Sequence, residues 1–318
     1  MKAAMNAPRA LFIGHSYIDV TFLTDHIPTG DEKYVAEDYA VSFGGNAVTA
    51  AFCCAKLSAE VDLIATHADD WLGRMFLEMA DRYSVHIHPR AVETSSLSFI
   101  MPNHGKRAIV RCRDDEYREP FPKLDVRPFA ALHIDGHQSD AALYYAKACR
   151  EAGILTSLDG GGVRSNTPEL LKYIDVAVVS ERFCEQMDMT AQKMLSHLRA
   201  QGCKVGGVTR GEHGLLWYEK DSPPRTTPAL NVPPHRVIDT SGAGDVFHGA
   251  YVWSYLSHRK RSWAEHFRFA SAASAFKIQK LGNEAGLPTQ KDIENVIREF
   301  GDQVLEARPA RENTSAMR

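Results

Sequence analysis

The stretch Asp239-Thr-Ser-Gly-Ala-Gly-Asp-Val-Phe-His-Gly-Ala-Tyr-Val252 holds the residues of this chain best suited to chemistry. Three small residues, Gly242, Ala243 and Gly244, precede an acid, Asp245, and then an apolar run that reads as a helix from Val246 to Ser257. Small residues let the backbone turn tightly and leave amide N–H groups uncovered at a helix N-terminus. The helix dipole adds to their pull on an anion, and a transferring phosphoryl group is such an anion. A carboxylate beside a bound anion is repelled by it, so Asp245 calls for a chemical reason. It can accept the proton of an attacking hydroxyl. The segment therefore points to phosphoryl transfer onto an alcohol.

Other residues could hold the reactants. Asp19 follows a buried-type run, and open α/β sheets bind ligands at the carboxyl ends of such strands. Its carboxylate can accept two hydrogen bonds from a polyol, or it can cap a turn. Gly44 and Gly45 admit a ligand to the backbone, with Asn46 offering both donor and acceptor; the plainer reading is a strand-to-helix turn with Asn46 as cap. Thr209, Arg210, Gly211 and Gly214 either close an ordinary hairpin or shape a turn beneath a nucleotide.

These residues need a scaffold, and the apolar pattern supplies one. Strand-like runs at Ala10–Ile13, Val61–Ala65, Ala130–Ile134, Ile154–Leu158, Val176–Val179 and Val205–Val208 alternate with helical patterns. The helices are expected at Ala47–Leu57, Trp71–Tyr83, Asp140–Ala152, Thr167–Tyr173, Ala191–Gln201 and Trp263–Gln279. Near-continuous apolar strands between helices predict a mainly parallel sheet covered on both faces, a three-layer α/β/α sandwich. Glu32–Ser42 and Ser96–Arg113 instead alternate apolar and polar residues, the second around an Asn103-His-Gly105 turn. They read as a small antiparallel sheet, formed by about residues 15–43 and 95–118, that covers a substrate; the alternative is surface hairpins without a role. Asp221–Pro234 reads as a surface connection. Residues 1–305 are expected to form one domain, with 306–318 a disordered tail.

At 318 residues, 44% hydrophobic and 24% charged, the chain has the composition of a globular protein with a sizeable core. A formal charge of −3 gives no basic field for nucleic acid. No apolar run approaches the ~20 residues of a membrane span, and the first ten residues lack the apolar core of a secretion signal. Six cysteines without a Cys-x-x-Cys spacing read as reduced thiols of a cytoplasmic protein. Fourteen histidines include no His-Glu-x-x-His element, and no zinc site is expected.

The 239–252 segment resembles the C-terminal signature of the ribokinase-type, or phosphofructokinase-B-type, carbohydrate kinases. Further resemblances lie in order along most of the chain: Gly14-His-Ser-Tyr-Ile-Asp19, Phe43-Gly-Gly-Asn-Ala47, Ala68-Asp-Asp-Trp-Leu-Gly73 and Val208-Thr-Arg-Gly-Glu-His-Gly214. The resemblance implies ATP as phosphoryl donor, Mg²⁺ bridging its phosphates, Asp245 as base, and Gly242, Ala243 and Gly244 stabilising charge on the γ-phosphoryl group. It implies sugar contacts from Asp19, Gly44, Gly45 and Asn46, and nucleotide contacts from Ser180, Thr209, Arg210, Gly211, Gly214, Ala272 and Ala275. Asp239 and Thr240, with carbonyls near Gly282–Gly286, resemble a site for a monovalent cation, K⁺.

Two departures stand out. Ser180-Glu-Arg-Phe-Cys-Glu185 replaces the family's Asn-x-x-Glu, leaving Glu181, Glu185 or water to take over. Thr49 stands where ribokinases usually carry Asn. Ser180 resembles both ketohexokinases and sulfofructose kinases; the segment Leu132-His-Ile-Asp-Gly-His-Gln138 resembles ketohexokinases, whereas Thr29-Gly-Asp-Glu-Lys-Tyr-Val-Ala36 and Thr49 resemble sulfofructose kinases. The leading expectation is a kinase that phosphorylates a primary hydroxyl of a ketohexose. The alternatives are a sulfofructose kinase, a nucleoside kinase walled by Phe43, Tyr34 and Phe99, and a weakly catalytic sugar-sensing protein. Lys33, Arg107, Arg111 and Arg113 could bind an anionic tail or simply face water. His137 is the further candidate for the sugar cleft, although an anion-binding relative would more commonly carry Arg there. Tyr34, Val35, Phe99 and Met101 suit a homodimer formed through the lid.

Overall fold

The computed structural model describes residues 9–103 and 106–301. Strands β1 (Arg9–Gly14), β2 (Tyr17–Leu23) and β3 (Asp38–Gly44) lead into α1 (Asn46–Lys56), β4 (Glu60–His67), α2 (Trp71–Arg82) and β5 (Val85–Ala91). Next come β6 (Leu97–Asn103), β7 (Lys106–Cys112), β8 (Ala131–Ile134), α3 (Ser139–Glu151), β9 (Leu155–Gly160) and α4 (Thr167–Leu170). The remainder is β10 (Val176–Ser180), α5 (Glu181–Gln186), α6 (Ala191–Ala200), β11 (Val205–Thr209), β12 (Leu215–Glu219), β13 (Arg225–Thr227), α7 (Ala243–Ser257), α8 (Trp263–Lys277) and α9 (Gln290–Phe300).

The larger sheet has nine strands in the order β13-β12-β11-β10-β9-β8-β1-β4-β5. The run from β11 to β5 is parallel throughout, and only the pairings of β12 with β11 and with β13 are antiparallel. β1 shows how both faces are covered. Ala10 and Phe12 join a core with α1, α7, α8 and α9, while Leu11 and Ile13 join a second core with α3 and α6. Side chains of a strand alternate in direction, so burial on both sides demands the unbroken apolar runs that mark these strands in the sequence.

The smaller sheet has the order β3-β2-β6-β7. Its register places Asp19 between Ser42 and Ser98, with Arg111 beside Ser98. One face of this sheet thus carries Asp19, Thr21, Ser98, Ile100, Arg107 and Arg111. The other carries Val20, Phe22, Tyr39, Phe99, Met101 and Val110, of which Tyr39, Phe99 and Val110 are exposed.

Several expectations are corrected. The alternating segment Glu32–Ser42 becomes strand only from Asp38. Ahead of it the backbone is held by local polar contacts: His26 Nε2 lies 2.9 Å from Glu32, which also accepts from the Thr29 amide, and the Tyr34 hydroxyl donates to Asp25 at 2.6 Å. Asp221–Pro234 contains β13, which pairs with β12. The α7 helix begins at Ala243, three residues before the apolar run. Asp70 caps α2 by accepting from the Gly73 amide at 2.7 Å and also holds Ser95, so the Asp-Asp-x-x-Gly element is structural here. The proposed turn residues His104 and Gly105, and the tail 306–318, lie outside the described residues. All six cysteines are free.

Candidate active site

The order of the parallel strands reverses between β1 and β8: from β1 the chain builds outward to β4 and β5, and from β8 to β9, β10 and β11. A crevice opens at the carboxyl ends of strands at such a switch point. Here those ends are Gly14 and Ile134, followed by His15 and Asp135. Asp135 is buried and accepts from the Ala47 amide at 3.3 Å and the His137 amide at 3.0 Å. A side chain at Gly14 would run into Asp135 and Ala47. Gly45 caps α1 with φ +104, and a Cβ there would overlap the His15 carbonyl. Asn46 is therefore the first helical residue rather than the cap, and its side-chain Nδ2 donates to Asp159 at 3.2 Å.

Asp19 does not sit at the end of a main-sheet strand, as its distance from the first apolar run suggested. It is the third residue of β2, in the smaller sheet, facing the crevice from above. Its carboxylate packs over Gly44 and accepts from Asn283 Nδ2 at 3.1 Å. Burial pushes its pKa up to about 6, opposed in part by Asn283 and Arg111.

A cluster of cations lies along the same face. The Arg111 guanidinium lies 5.2 Å from the Tyr17 ring, and Arg107 and Arg111 both lower the pKa of Asp245. Arg113, just past β7, pairs with Asp115 at 2.8 Å. His137 is not itself a cation: burial, then Arg164, Arg113 and Arg111, press its pKa down to about 3. Its Nε2 lies 2.6 Å from Arg164 Nη2, so a guanidinium stands beside position 137. Lys33 is exposed in the loop before β3.

On the opposite wall, Gly242 adopts φ +73 and caps α7, a conformation that favours glycine. A Cβ on Gly242 would overlap Asn283 Oδ1, whereas one on Gly244 would meet nothing within 4 Å. Among the described residues, the amides of Gly244 and Asp245 have no hydrogen-bond partner, and that of Ala243 reaches only Thr240 O at 3.4 Å. Gly244 is exposed, and the helix dipole lies behind these N–H groups. Burial, followed by the charges of Asp159 and Asp19, raises the pKa of Asp245. Beneath it, a buried chain runs from His133 to Ser157 (2.9 Å), Tyr251 (2.5 Å) and His248 (2.9 Å), with His248 Nε2 3.7 Å from Asp159.

The residues expected to meet the nucleotide are spread over several elements. Ser180 caps α5, accepting from the Phe183 amide at 3.2 Å. Thr209 reaches Val179 O at 3.4 Å, and Arg210 reaches His213 O at 3.2 Å. Gly211 faces open space, while Gly214 packs against the backbone after β13. Ala272 is wholly buried and Ala275 nearly so, and both pack in the core. Glu181 and Glu185 are exposed on α5. Asp159, Arg164 and Asn283 were missed, and Asp135 was read only as part of the segment Leu132–Gln138. Each is an ordinary polar residue in the sequence, and only the fold brings it to the crevice.

Residues 7–290 match the family model for pfkB family carbohydrate kinases. The chain belongs to this family. It is 24% identical over 308 residues to the ribokinase of Lactococcus lactis subsp. lactis, spanning 91% of this chain and 96% of that protein. It is also 24% identical over 310 residues to fructokinase-2 of Oryza sativa subsp. japonica, spanning 86% and 91%. The structure of Arabidopsis thaliana ribokinase complexed with ribose and ATP matches with a TM-score of 0.78 at 23% identity, over 92% of this chain and 99% of that one. The protein is thus a carbohydrate kinase with a ribokinase-like fold, a phosphotransferase acting on an alcohol group. No helix among the described residues is long and apolar enough to cross a membrane.

The kinase does not present Asp239 and Thr240 as a vacant cation site. Asp239 is buried; its carboxylate accepts from the Ser241 amide at 2.8 Å and the Gly282 amide at 3.1 Å, and from Lys277 Nζ at 3.0 Å. The lysine ammonium fills the space between the 239–242 turn and the 280–286 loop, and the residues present do not fit a bound K⁺.

Proposed function

We propose that this kinase transfers the γ-phosphoryl group of ATP to a primary hydroxyl of a ketohexose. The sugar lies between Asp19, Gly44–Asn46 and Asp135, with its reactive hydroxyl toward Asp245. Asp245 removes the hydroxyl proton as the bond to phosphorus forms, and the Ala243, Gly244 and Asp245 amides hold the phosphoryl oxygens. The observation that carries this reading is the pair of amides, Gly244 and Asp245, that open α7 without a partner among the described residues, beside the Asp245 carboxyl. Such donors are already oriented for charge that develops on transfer, so no reorganisation is needed. The raised pKa of Asp245 suits a group that must first be ionised and then hold a proton.

The nucleotide would carry Mg²⁺ on its phosphates. The carboxylates of Asp159 and Asp245, each raised by burial and by neighbouring acids, are the acidic groups suited to face it, and the ion would neutralise phosphate charge there. Thr209, Arg210 and Gly211 border the nucleotide's side of the cleft.

A second substrate reading, sulfofructose, is favoured by the guanidiniums of Arg111, Arg113 and Arg164 around His137 and Tyr17. An anionic tail would satisfy them by charge-assisted hydrogen bonds. ATP consumption measured against a panel of fructose, sulfofructose, ribose and nucleosides tests both. Turnover of either ketose with Arg111→Ala weakening only the anionic one supports this account; turnover restricted to ribose or nucleosides rejects it.

A further inference from the structure

The Lys277 side chain runs from the end of α8 into a closed space and is itself 0% exposed. Its ammonium has three donors and three oxygen acceptors: Asp239 Oδ2 at 3.0 Å, Asp239 O at 3.1 Å and Lys280 O at 3.5 Å. One carboxylate and two carbonyls form an oxygen cage of the kind hard cations prefer. A Cβ on Gly286 would overlap Lys277 Cδ, so the 280–286 loop wraps the stem closely. The same cage touches the phosphate turn. Asp239 Oδ1 takes the Ser241 amide, and Lys277 Cε lies 3.6 Å from where a Gly242 side chain would begin. Across the loop, Asn283 holds Asp19 and the Phe43 carbonyl, linking the cage to the sugar wall.

We propose that the Lys277 ammonium is a tethered replacement for a monovalent cation, so that this kinase reaches full activity without K⁺. The buried charge does two things that a free ion would otherwise do. It neutralises the Asp239 carboxylate in a place from which water is excluded, and it pins the 239–242 turn to the 280–286 loop so that the α7 amides stay aimed at the phosphoryl group. Being covalently attached, it pays no entropy of capture and cannot be diluted away. Lys277 touches no reacting atom. It is a positioning residue.

Two measurements test this, the first independent of which sugar is the substrate. Thermal unfolding of the full chain is followed in tetramethylammonium chloride and in KCl at equal ionic strength. The wild-type midpoint is expected to be the same in both, because a site already filled gains nothing by mass action. Lys277→Ala empties the cage; its midpoint is expected to be lower and to rise with KCl but not with tetramethylammonium. A wild-type midpoint or rate that climbs with K⁺, by about tenfold or more for the rate, overturns the proposal. So does Lys277→Ala turning over at the wild-type rate in tetramethylammonium. Should that variant not fold, the wild-type comparison decides alone, with Lys277→Met as the better-packed neutral substitute. The proposal rests on the phosphate-turn reading above, but failure of that reading would show as activity without Asp245, not as a K⁺-dependent midpoint.

Discussion

Gly242 and Gly244 are two residues apart in one turn, and the structure separates their roles enough for opposite outcomes on substitution by alanine. At Gly242 the backbone has φ +73, which costs an L-residue about 1–2 kcal/mol, and the new methyl would displace the Asn283 side chain. Asn283 makes bonds of 3.1 Å to Asp19 and 2.9 Å to Phe43 O, each worth roughly 1 kcal/mol or more. Gly242→Ala should therefore lose about 3–4 kcal/mol, which for a chain of this size lowers the melting midpoint by roughly 4–6 °C. At Gly244 the conformation is helical and the space is open, so alanine should leave the fold unchanged or raise its stability by up to about 1 kcal/mol. That methyl would stand in the crevice beside the amides proposed to hold the phosphoryl group. Losing one such donor costs about 10²–10³ in kcat. Thermal denaturation paired with steady-state kinetics on both variants reads the contrast. Gly244→Ala that melts like wild type and turns over like wild type would refute the placement of the phosphoryl group. Gly242→Ala as stable as Gly244→Ala would refute the role given to its conformation.

Other outcomes follow from the buried groups and the lid. His133 and His248 are enclosed and neutral, with pKa values pushed down to about 3 by burial, so the unfolded chain binds their protons first. Their contribution is present above pH ~6.5 and falls as the pH drops toward 3, by up to about 1.4 kcal/mol per unit for each ring; denaturant titrations across that range should show it, and a flat profile would contradict it. Arg107 lowers the pKa of Asp245, so Arg107→Ala should move the acid limb of kcat/KM to higher pH; an unmoved limb would mean that Asp245 is not the group titrating. The exposed Tyr39, Phe99 and Val110 on the outer face of the small sheet are proposed to join two copies, and Val110→Glu should shift a dimer to monomer in sedimentation velocity; a wild-type chain already monomeric would reject the pairing.

The strands of the main sheet were legible because burial on both faces forces unbroken apolar runs, and β1 at Arg9–Gly14 is the clearest case. β13, with its three residues Arg225–Thr227 at the edge, carried no such run, and its Thr-rich sequence read as a connection. The anion turn at 242–245 was legible for a different reason: its glycines and acid are adjacent in sequence, so spacing alone describes the local geometry. The rest of the crevice was not. Asn283 meets Asp19 across 264 positions, and Arg164 reaches His137 only because β8 and β9 lie side by side. Lys277 looked like any lysine at a helix C-terminus, where a cation is favoured anyway, and nothing in its neighbours announced that it turns inward to Asp239.

The most direct test of the central claim is the rate of the phosphoryl-transfer step in Asp245→Asn, measured by single-turnover quench with saturating ATP and sugar. Asparagine keeps the shape of the side chain but cannot accept the hydroxyl proton. Sugar and nucleotide affinity by calorimetry should remain within a few-fold of wild type while the transfer rate falls by about 10²–10⁴-fold. Transfer at the wild-type rate, with both substrates bound, would contradict the assignment of Asp245 as the base and with it the proposed chemistry of the turn.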